Sequence, residues 1–203
     1  AVAILGNSIT DGRGSTTNQQ DRWPDNLSRA LLANAKTKDV AVLNLGIGGN
    51  CILRGGLGPT GATRFTRDIM QQEGVKYVII FEGINDLGGS RNGEQTANAL
   101  IEAYKKRIAE ALAKGIKVYG GTITPFKGNN YYTADHEAAR KKVNTWIRTS
   151  GAFDAVIDFD KIIRDSANPE ALQKKFLYEN DWLHPNAEGY KTMGSGVDLK
   201  LFQ

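Results

Sequence analysis

Three side chains of this sequence could together carry out acyl transfer. Ser8 lies in the stretch LGNSITDG, directly after the apolar run 1–5, and Asp181 and His184 occur in DWLHPN near the other end. A hydroxyl, an imidazole and a carboxylate are the groups that acyl transfer through a serine ester requires. Gly, Asn and Ser are also ordinary turn residues, so the first stretch alone is equally typical of a simple turn.

The choice of a general base is narrow, because the chain contains only two histidines. His136 lies early in the charged helical stretch TADHEAARKK, where we expect a surface position. His184 follows Asp181 by three residues and precedes Pro185, which favours an extended backbone at His184 and the start of a helix after it. A tight turn can bring the carboxylate to one imidazole nitrogen and leave the other free to accept a proton. DWLHPN is equally compatible with a capped helix start.

Hydrogen-bond donors for an oxyanion follow two of the predicted strands. Loss of one such donor typically raises the barrier by about 3 to 4 kcal/mol. Gly48 and Gly49 in GIGGN can present backbone amides without an obstructing side chain, and Asn85 in EGINDLGG offers a side-chain amide. Gly-Gly and Asn-Asp also mark turns, but their joint placement after successive strands favours a catalytic role.

Five short β-rich segments alternate with helical patterns and must position these groups. The predicted strands are 2–5, 40–45, 75–81, 116–122 and 153–157, and the predicted helices are 22–35, 63–72, 94–114, 133–150, 169–175 and 185–194. Most of the strands are apolar throughout, as expected for parallel strands covered on both faces. This order predicts an α/β fold with three layers, α/β/α, flavodoxin-like, with a five-stranded, mostly parallel sheet and helices on both faces. Ligands of such sheets bind outside the carboxyl ends of the strands.

Composition and charge argue against several other classes of protein. The 203 residues are 40% hydrophobic and 24% charged, which is ordinary globular usage and fits one domain over residues 1–203. No apolar run approaches about 18 residues, so we expect no membrane partner. The net charge is +4, but the basic clusters 104–107, 140–142 and 173–175 fall in separate helical segments. We expect them to be solvated helix faces, with no nucleic-acid partner.

Cofactor and metal sites are not predicted. Cys51 is the only cysteine, so no internal disulfide can form, and no cluster of Cys and His has zinc-site spacing. The Gly-rich segment 46–61 lacks a P-loop, and GIGGNC does not match G-x-G-x-x-G. Cys51 is a weak alternative nucleophile, because it has no evident partner and free cysteines are usually buried.

Four ordered blocks resemble those of the GDSL-like esterases of the SGNH hydrolase superfamily. GNSIT stands in place of the Gly-Asp-Ser block, NLGIGGN in place of the oxyanion-glycine block, GIND in place of Gly-x-Asn-Asp, and DWLHP in place of Asp-x-x-His-Pro. The resemblance covers residues 6–185. It implies that Ser8 is the nucleophile, His184 the general base and Asp181 the residue that orients it.

The same resemblance implies an oxyanion hole made of the Ser8 amide, Gly49 and Asn85. Gly49 is preferred to Gly48 by counting five residues from Asn44, where the block begins.

Asn7 departs from the aspartate that the family usually has at this position. An amide donates a hydrogen bond where a carboxylate only accepts one, so the departure affects the hydrogen bonding of the Ser8 loop. We expect weakened activity at most, because the family's aspartate is not the proton acceptor.

The resemblance also bears on the substrate, since many relatives are carbohydrate deacetylases, and the RWPD and GIGGN blocks look like those of extracellular, polysaccharide-active members. Polar and aromatic loop residues suit a hydrated ligand, although they are equally compatible with solvated loops. They are Arg13, Asn18, Gln19, Gln20, Arg22, Trp23, Asn50, Arg54, Arg64, Arg91, Asn92, Asn129, Asn130, Tyr131 and Tyr132.

We therefore expect a serine esterase that hydrolyses short acyl esters, acetyl in the first place, on polysaccharide or oligosaccharide. The chain begins on a strand without a signal peptide, which we interpret as a processed or trimmed form of a secreted or periplasmic protein. Two alternatives stay open. One is a short-chain lipid esterase or thioesterase, and the other is a carbohydrate-binding module on a decayed hydrolase scaffold.

Overall fold

Five short segments form one parallel sheet at the centre of the structure, a computed structural model that describes residues 1–203. The strands are β1 (Val2–Gly6), β2 (Val42–Gly46), β3 (Tyr77–Phe81), β4 (Lys117–Gly121) and β5 (Ala155–Ile157). Their order is β2-β1-β3-β4-β5, and all neighbouring pairs are parallel. This is the flavodoxin-like order. The predicted fold class and the five-stranded sheet are confirmed.

Eight α-helices surround the sheet. They are α1 (Ser8–Asp11), α2 (Trp23–Ala33), α3 (Gly61–Phe65), α4 (Ile84–Gly88), α5 (Gly93–Ala113), α6 (Ala134–Thr149), α7 (Phe159–Ile163) and α8 (Ala187–Ser195). A π-helical turn, Thr66–Met70, continues α3. Helices α2 and α7 pack against α8, whereas α3 and α6 pack against α5, which gives two helical layers. None of the helices is both long and apolar enough to cross a membrane.

One predicted helix, 169–175, is wrong. The backbone of this segment bonds to neighbouring segments instead of to itself: Lys127 N donates to Glu170 O, and Asp165 N donates to Ala171 O. Arg164 and Leu172 form an antiparallel bridge, and a short 3₁₀ turn follows at Lys174–Phe176. The helices α1, α4 and α7 were not predicted, because four or five residues are too few to show a helical period.

The expectation that the basic clusters are solvated faces is wrong for two arginines. Arg107 is buried on α5, where it donates to Ala62 O at 2.8 Å and pairs with Glu110. Arg140 is buried on α6 between Glu137 and Asp160, at 2.7 and 2.9 Å. Each guanidinium group bonds its helix to a neighbouring segment. The spacing of charged residues along a helix gives no indication of such a contact.

Three residues that we expected in substrate-facing loops are also buried, namely Trp23, Asn50 and Arg64. Trp23 packs against the rings of Phe81 and Phe159, with centroids 6.2 and 4.9 Å away. This contact joins α2 and α7 to the end of β3. The aromatic ring therefore belongs to the core.

Arg64 binds the carboxyl ends of the two strands that precede the Ser8 and Gly49 loops. Its guanidinium donates to Gly6 O at 3.0 Å and to Leu45 O at 2.6 Å. It also donates to the Asn50 side chain at 3.1 Å and pairs with Asp68 and Glu82, at 3.1 and 3.5 Å. A buried cation is tolerated only with such partners, so this side chain fixes the strand ends relative to one another.

We expect Arg64→Met to lower the free energy of unfolding by about 3 to 5 kcal/mol, because buried carbonyls and carboxylates would lose their partner. Arg67 is the matched control, since it pairs with the same Asp68 but its side chain is 64% exposed. Arg67→Gln should leave the stability nearly unchanged. Urea denaturation of both variants tests this, and equal effects would contradict the structural role of Arg64.

Candidate active site

Ser8 is placed at the rim of the sheet by the end of β1. A Cβ atom on Gly6 would lie 2.2 Å from Thr10 Oγ1, so α1 can pack closely over this strand end only because residue 6 is glycine. The Asn7 side chain caps the helix by accepting from Ile9 N at 3.1 Å, and Ser8 is the first helical residue. Its amide therefore has no acceptor within the helix.

The loop of DWLHPN brings His184 to this serine. Ser8 Oγ lies 2.8 Å from His184 Nε2, and His184 Nδ1 lies 2.6 Å from Asp181 Oδ2. The other carboxylate oxygen, Asp181 Oδ1, accepts from the amides of Leu183 and His184. The structure thus joins the three residues proposed for catalysis in one hydrogen-bonded chain.

Backbone strain accompanies this loop. Glu179, Asn180 and Trp182 have φ values of 48, 55 and 57°, a left-handed region that such residues adopt only under restraint. The ring of Trp182 supplies part of that restraint, since it packs where a Cβ atom on Gly128 would lie, 2.6 Å from Trp182 Cγ.

The environment favours a neutral imidazole beside an ionised carboxylate. Burial lowers the pKa of His184 below its ordinary value and outweighs the opposing effect of Asp181. Burial alone would raise the pKa of Asp181, but the hydrogen bonds from His184 prevail, and the pKa lies below the usual range. The charged carboxylate can therefore orient Nδ1–H, while Nε2 faces Ser8 Oγ as a proton acceptor.

The loops that carry Gly49 and Asn85 begin beside the Ser8 loop. In the sheet register Gly6 lies between Gly46 and Phe81, so the chain leaves three adjacent strands at one level. The Gly48 and Gly49 amides both lack a protein acceptor. Only Gly49 shares a cavity wall with Asn85, which favours Gly49 as the donor.

The Asn85 amide is held on two sides. Its Nδ2 donates to Asn50 O at 2.8 Å, and its Oδ1 accepts from the Tyr131 hydroxyl at 3.1 Å. An amide nitrogen carries two hydrogens, so one remains for a ligand. The sequence places Tyr131 among the polar and aromatic loop residues that suit a hydrated ligand, but its contact with Asn85 has no local sequence signal because 46 residues separate the two.

Asn7, the departure from the family pattern, faces a buried carboxylate. Its Nδ2 donates to Glu82 Oε2 at 3.4 Å. Burial raises the pKa of Glu82 well above its usual range, with a further contribution from Asp86. An aspartate at position 7 would place a second acceptor against this carboxyl group, so the amide suits this chain.

The remaining candidates have structural surroundings. His136 is buried, contrary to the expected surface position, and its ring nitrogens lie 2.7 and 3.2 Å from the carbonyl oxygens of Tyr131 and Ser90. Burial, aided by the charge of Asp86, raises the pKa of Cys51 to about 12. A thiol in this state is a poor nucleophile at neutral pH, which weakens the alternative role of Cys51.

The parallel sheet and its helical layers are those of the SGNH hydrolase fold. A model of the GDSL-like lipase/acylhydrolase family matches residues 4–192, and the chain belongs to that family. The expected resemblance and the enzyme class, a carboxylic ester hydrolase, are thereby confirmed.

Solved structures with the same fold include three informative examples. A protein described as a lipolytic protein of the G-D-S-L family, from Desulfitobacterium hafniense DCB-2, is 22% identical with a TM-score of 0.72, over 96% of this chain and 95% of that chain. Est24, a carbohydrate acetylesterase from Sinorhizobium meliloti, is 15% identical with a TM-score of 0.69, over 98% and 97%. The acetyl xylan esterase AlAXEase is 18% identical with a TM-score of 0.68, over 96% of each. These identities establish the fold alone, and the comparison with curated proteins gave no match.

The lowered pKa of His184 predicts the pH dependence of ester hydrolysis. Only the neutral imidazole accepts a proton, so kcat/KM should fall as the pH decreases through this pKa. The midpoint should lie below the ordinary histidine value of 6.5. A profile of kcat/KM against pH checks this, and a midpoint at or above that value would contradict the lowered pKa of the imidazole.

Tyr131→Phe removes the hydroxyl that holds the Asn85 amide and keeps the ring that packs on Gly88. We expect kcat to fall about tenfold with little change in KM, because an oxyanion donor would lose its orientation. Tyr132→Phe is the control, since the Tyr132 hydroxyl bonds to Glu170 instead. Steady-state kinetics of both variants test this. An equal change of kcat in Tyr131→Phe and Tyr132→Phe would refute the role of the Tyr131 hydroxyl.

Proposed function

We propose that the protein is a serine esterase that removes short acyl groups, acetyl in the first place, from polysaccharide or oligosaccharide. The observation that carries this proposal is the hydrogen-bonded chain from Ser8 Oγ through the His184 ring to Asp181 Oδ2, at 2.8 and 2.6 Å. This geometry places a proton acceptor on the hydroxyl that would attack, and a carboxylate on the opposite side of the imidazole.

Acylation follows from these contacts. His184 Nε2 takes the hydroxyl proton as Ser8 Oγ bonds to the ester carbonyl carbon, and the carbonyl oxygen becomes negatively charged. The Asp181 carboxylate stabilises the imidazolium that forms. When the carbon–oxygen bond of the ester breaks, the imidazolium returns the proton to the sugar oxygen, and an acetylated serine remains.

The proposed oxyanion hole acts in both halves of the reaction. The Ser8 amide, the Gly49 amide and the free Asn85 N–H each point a donor toward charge that exists only in the tetrahedral species. Water then attacks the acetylated serine with His184 as the base, and acetate leaves. The Ser8 hydroxyl regains its proton from the imidazolium, so the site returns to its starting state.

Two observations support a carbohydrate substrate over a lipid. Est24 is described as a carbohydrate acetylesterase, and AlAXEase as an acetyl xylan esterase. The cavity beside Asn85 is lined mainly by polar residues and glycines, and the large apolar side chains that are exposed are scattered, at Leu32, Leu57 and Leu112. A long acyl chain would need a continuous apolar surface. We assign a secreted or periplasmic location as part of this proposal, because a polymeric substrate lies outside the cytoplasm.

Hydrolysis of p-nitrophenyl acetate, butyrate and octanoate tests the proposal, together with acetate release from acetylated xylan and pectin. We expect the acetyl ester to be the best of the three, and Ser8→Ala to lower kcat by about 10⁵-fold or more. The thermal stability of Ser8→Ala serves as the control for folding. A preference for octanoate would instead favour a lipid esterase, and full activity of Ser8→Ala would exclude the triad.

A further inference from the structure

A cavity of about 820 Å³ opens beside the proposed oxyanion hole, and Gly49 and Asn85 form part of its wall. The segment 51–56 and several of the residues 89–99, which include the first two turns of α5, contribute most of its lining. Cavities of about 300 to 1,000 Å³ bind whole small molecules. An acetyl group fills only a fraction of this volume, so the cavity has room for the part of the substrate that carries the ester.

Two arginines, Arg54 and Arg91, line this cavity. Arg54 lies on the segment after β2, and Arg91 lies just before α5. Both are exposed, and neither forms an ion pair or a side-chain hydrogen bond in the structure. In contrast, Arg64, Arg107 and Arg140 are paired with carboxylates. The two free guanidinium groups are therefore available to a ligand.

The single acidic residue in the wall does not neutralise them. Asp86 accepts from the Ile52 and Leu53 amides at 3.0 and 2.9 Å, so both of its oxygens are occupied. The two arginines also outnumber this one carboxylate, which is already bonded by backbone amides. The charge that the cavity presents to a ligand is consequently positive.

We propose that Arg54 and Arg91 bind a carboxylate on the sugar, so that the preferred substrate is an acylated acidic sugar such as a uronic acid unit of a polysaccharide. The inference rests on the proposed function and narrows its substrate class. Guanidinium groups bind carboxylates through paired hydrogen bonds, and two of them lining one cavity would hold the sugar ring in one orientation. The ester then lies at the oxyanion hole because Gly49 and Asn85 belong to the same wall.

Binding to the Ser8→Ala variant tests this without any turnover, and therefore separately from the esterase proposal. Calorimetry with a galacturonic acid trimer and with a neutral xylose trimer should show tighter binding of the acidic one. The double substitution Arg54→Gln and Arg91→Gln in the same variant should weaken that binding about tenfold. An effect of this size is expected because each exposed ion pair contributes little to the affinity. Equal affinity for the two trimers would overturn the proposal.

Kinetics then test whether the two arginines favour acidic sugars during turnover. The ratio of kcat/KM for acetylated galacturonate oligomers to that for acetylated xylose oligomers should fall about tenfold in the double variant. Lys38→Gln with Lys106→Gln removes the same charge from two exposed, unpaired lysines outside the cavity and should leave the ratio unchanged. An equal fall of the ratio in the lysine double variant would show that the overall positive charge of the protein determines the preference. That result would overturn the proposal that Arg54 and Arg91 bind the carboxylate.

A second pair of substrates distinguishes a carboxylate on the sugar from one on the acyl group. The ratio of p-nitrophenyl hemisuccinate to p-nitrophenyl butyrate hydrolysis should be the same in the parent protein and in the Arg54 and Arg91 double variant. A fall of this ratio in the double variant, without a fall for the sugar esters, would place the carboxylate on the acyl group and overturn the acidic-sugar assignment.

Discussion

The buried guanidinium of Arg64 is the constraint on which the candidate active site depends. A cation at 2% exposure must be matched by acceptors, and this one finds them at Gly6 O, Leu45 O and the side chain of Asn50. These atoms lie immediately before or within the Ser8 and Gly49 loops. Because the buried charge of Arg64 requires all of these acceptors, it fixes the distance between the loop of the proposed nucleophile, Ser8, and the loop of the proposed oxyanion donor, Gly49.

Asp86 and Asn85 extend this restraint to the third loop. Asp86 receives the amides of Ile52 and Leu53, and Asn85 donates to Asn50 O. The loops after β2 and β3 are therefore bonded to each other as well as to Arg64. In such a network one hydrogen bond limits the freedom of the next, so the proposed oxyanion donors have a fixed orientation without a substrate.

The sheet and the catalytic candidates could be predicted because their signals are local. Apolar runs of four to seven residues indicate buried parallel strands, and Asp181 and His184 are close enough in sequence for one turn to join them. Ser8 lies 176 positions away from His184. Their residue types and the rule that parallel strands end at one edge of the sheet suggested the grouping, and the resemblance to a family assigned each residue its role.

The features that could not be predicted depend on contacts between distant segments. Arg64, Arg107 and Arg140 are buried because the carbonyls and carboxylates that receive them arrive from other elements. The same holds for Tyr131, whose partner Asn85 belongs to another loop. The segment 169–175 has helical residue types, but its backbone groups are taken by Lys127 and Asp165. A sequence pattern gives the intrinsic secondary-structure propensity of a segment, and hydrogen bonds to distant segments override that propensity here.

The strained loop that carries His184 has a different stability from the sheet. Three of its residues have left-handed backbone angles, and the contacts that hold them include the Trp182 ring over Gly128 and the bond from Asn129 Nδ2 to Asp181 O at 2.7 Å. Strained surface loops open with a smaller free energy than core strands. The loop can therefore open and displace the proposed general base while the parallel sheet is intact, so we expect inactivation to precede global unfolding as the temperature rises.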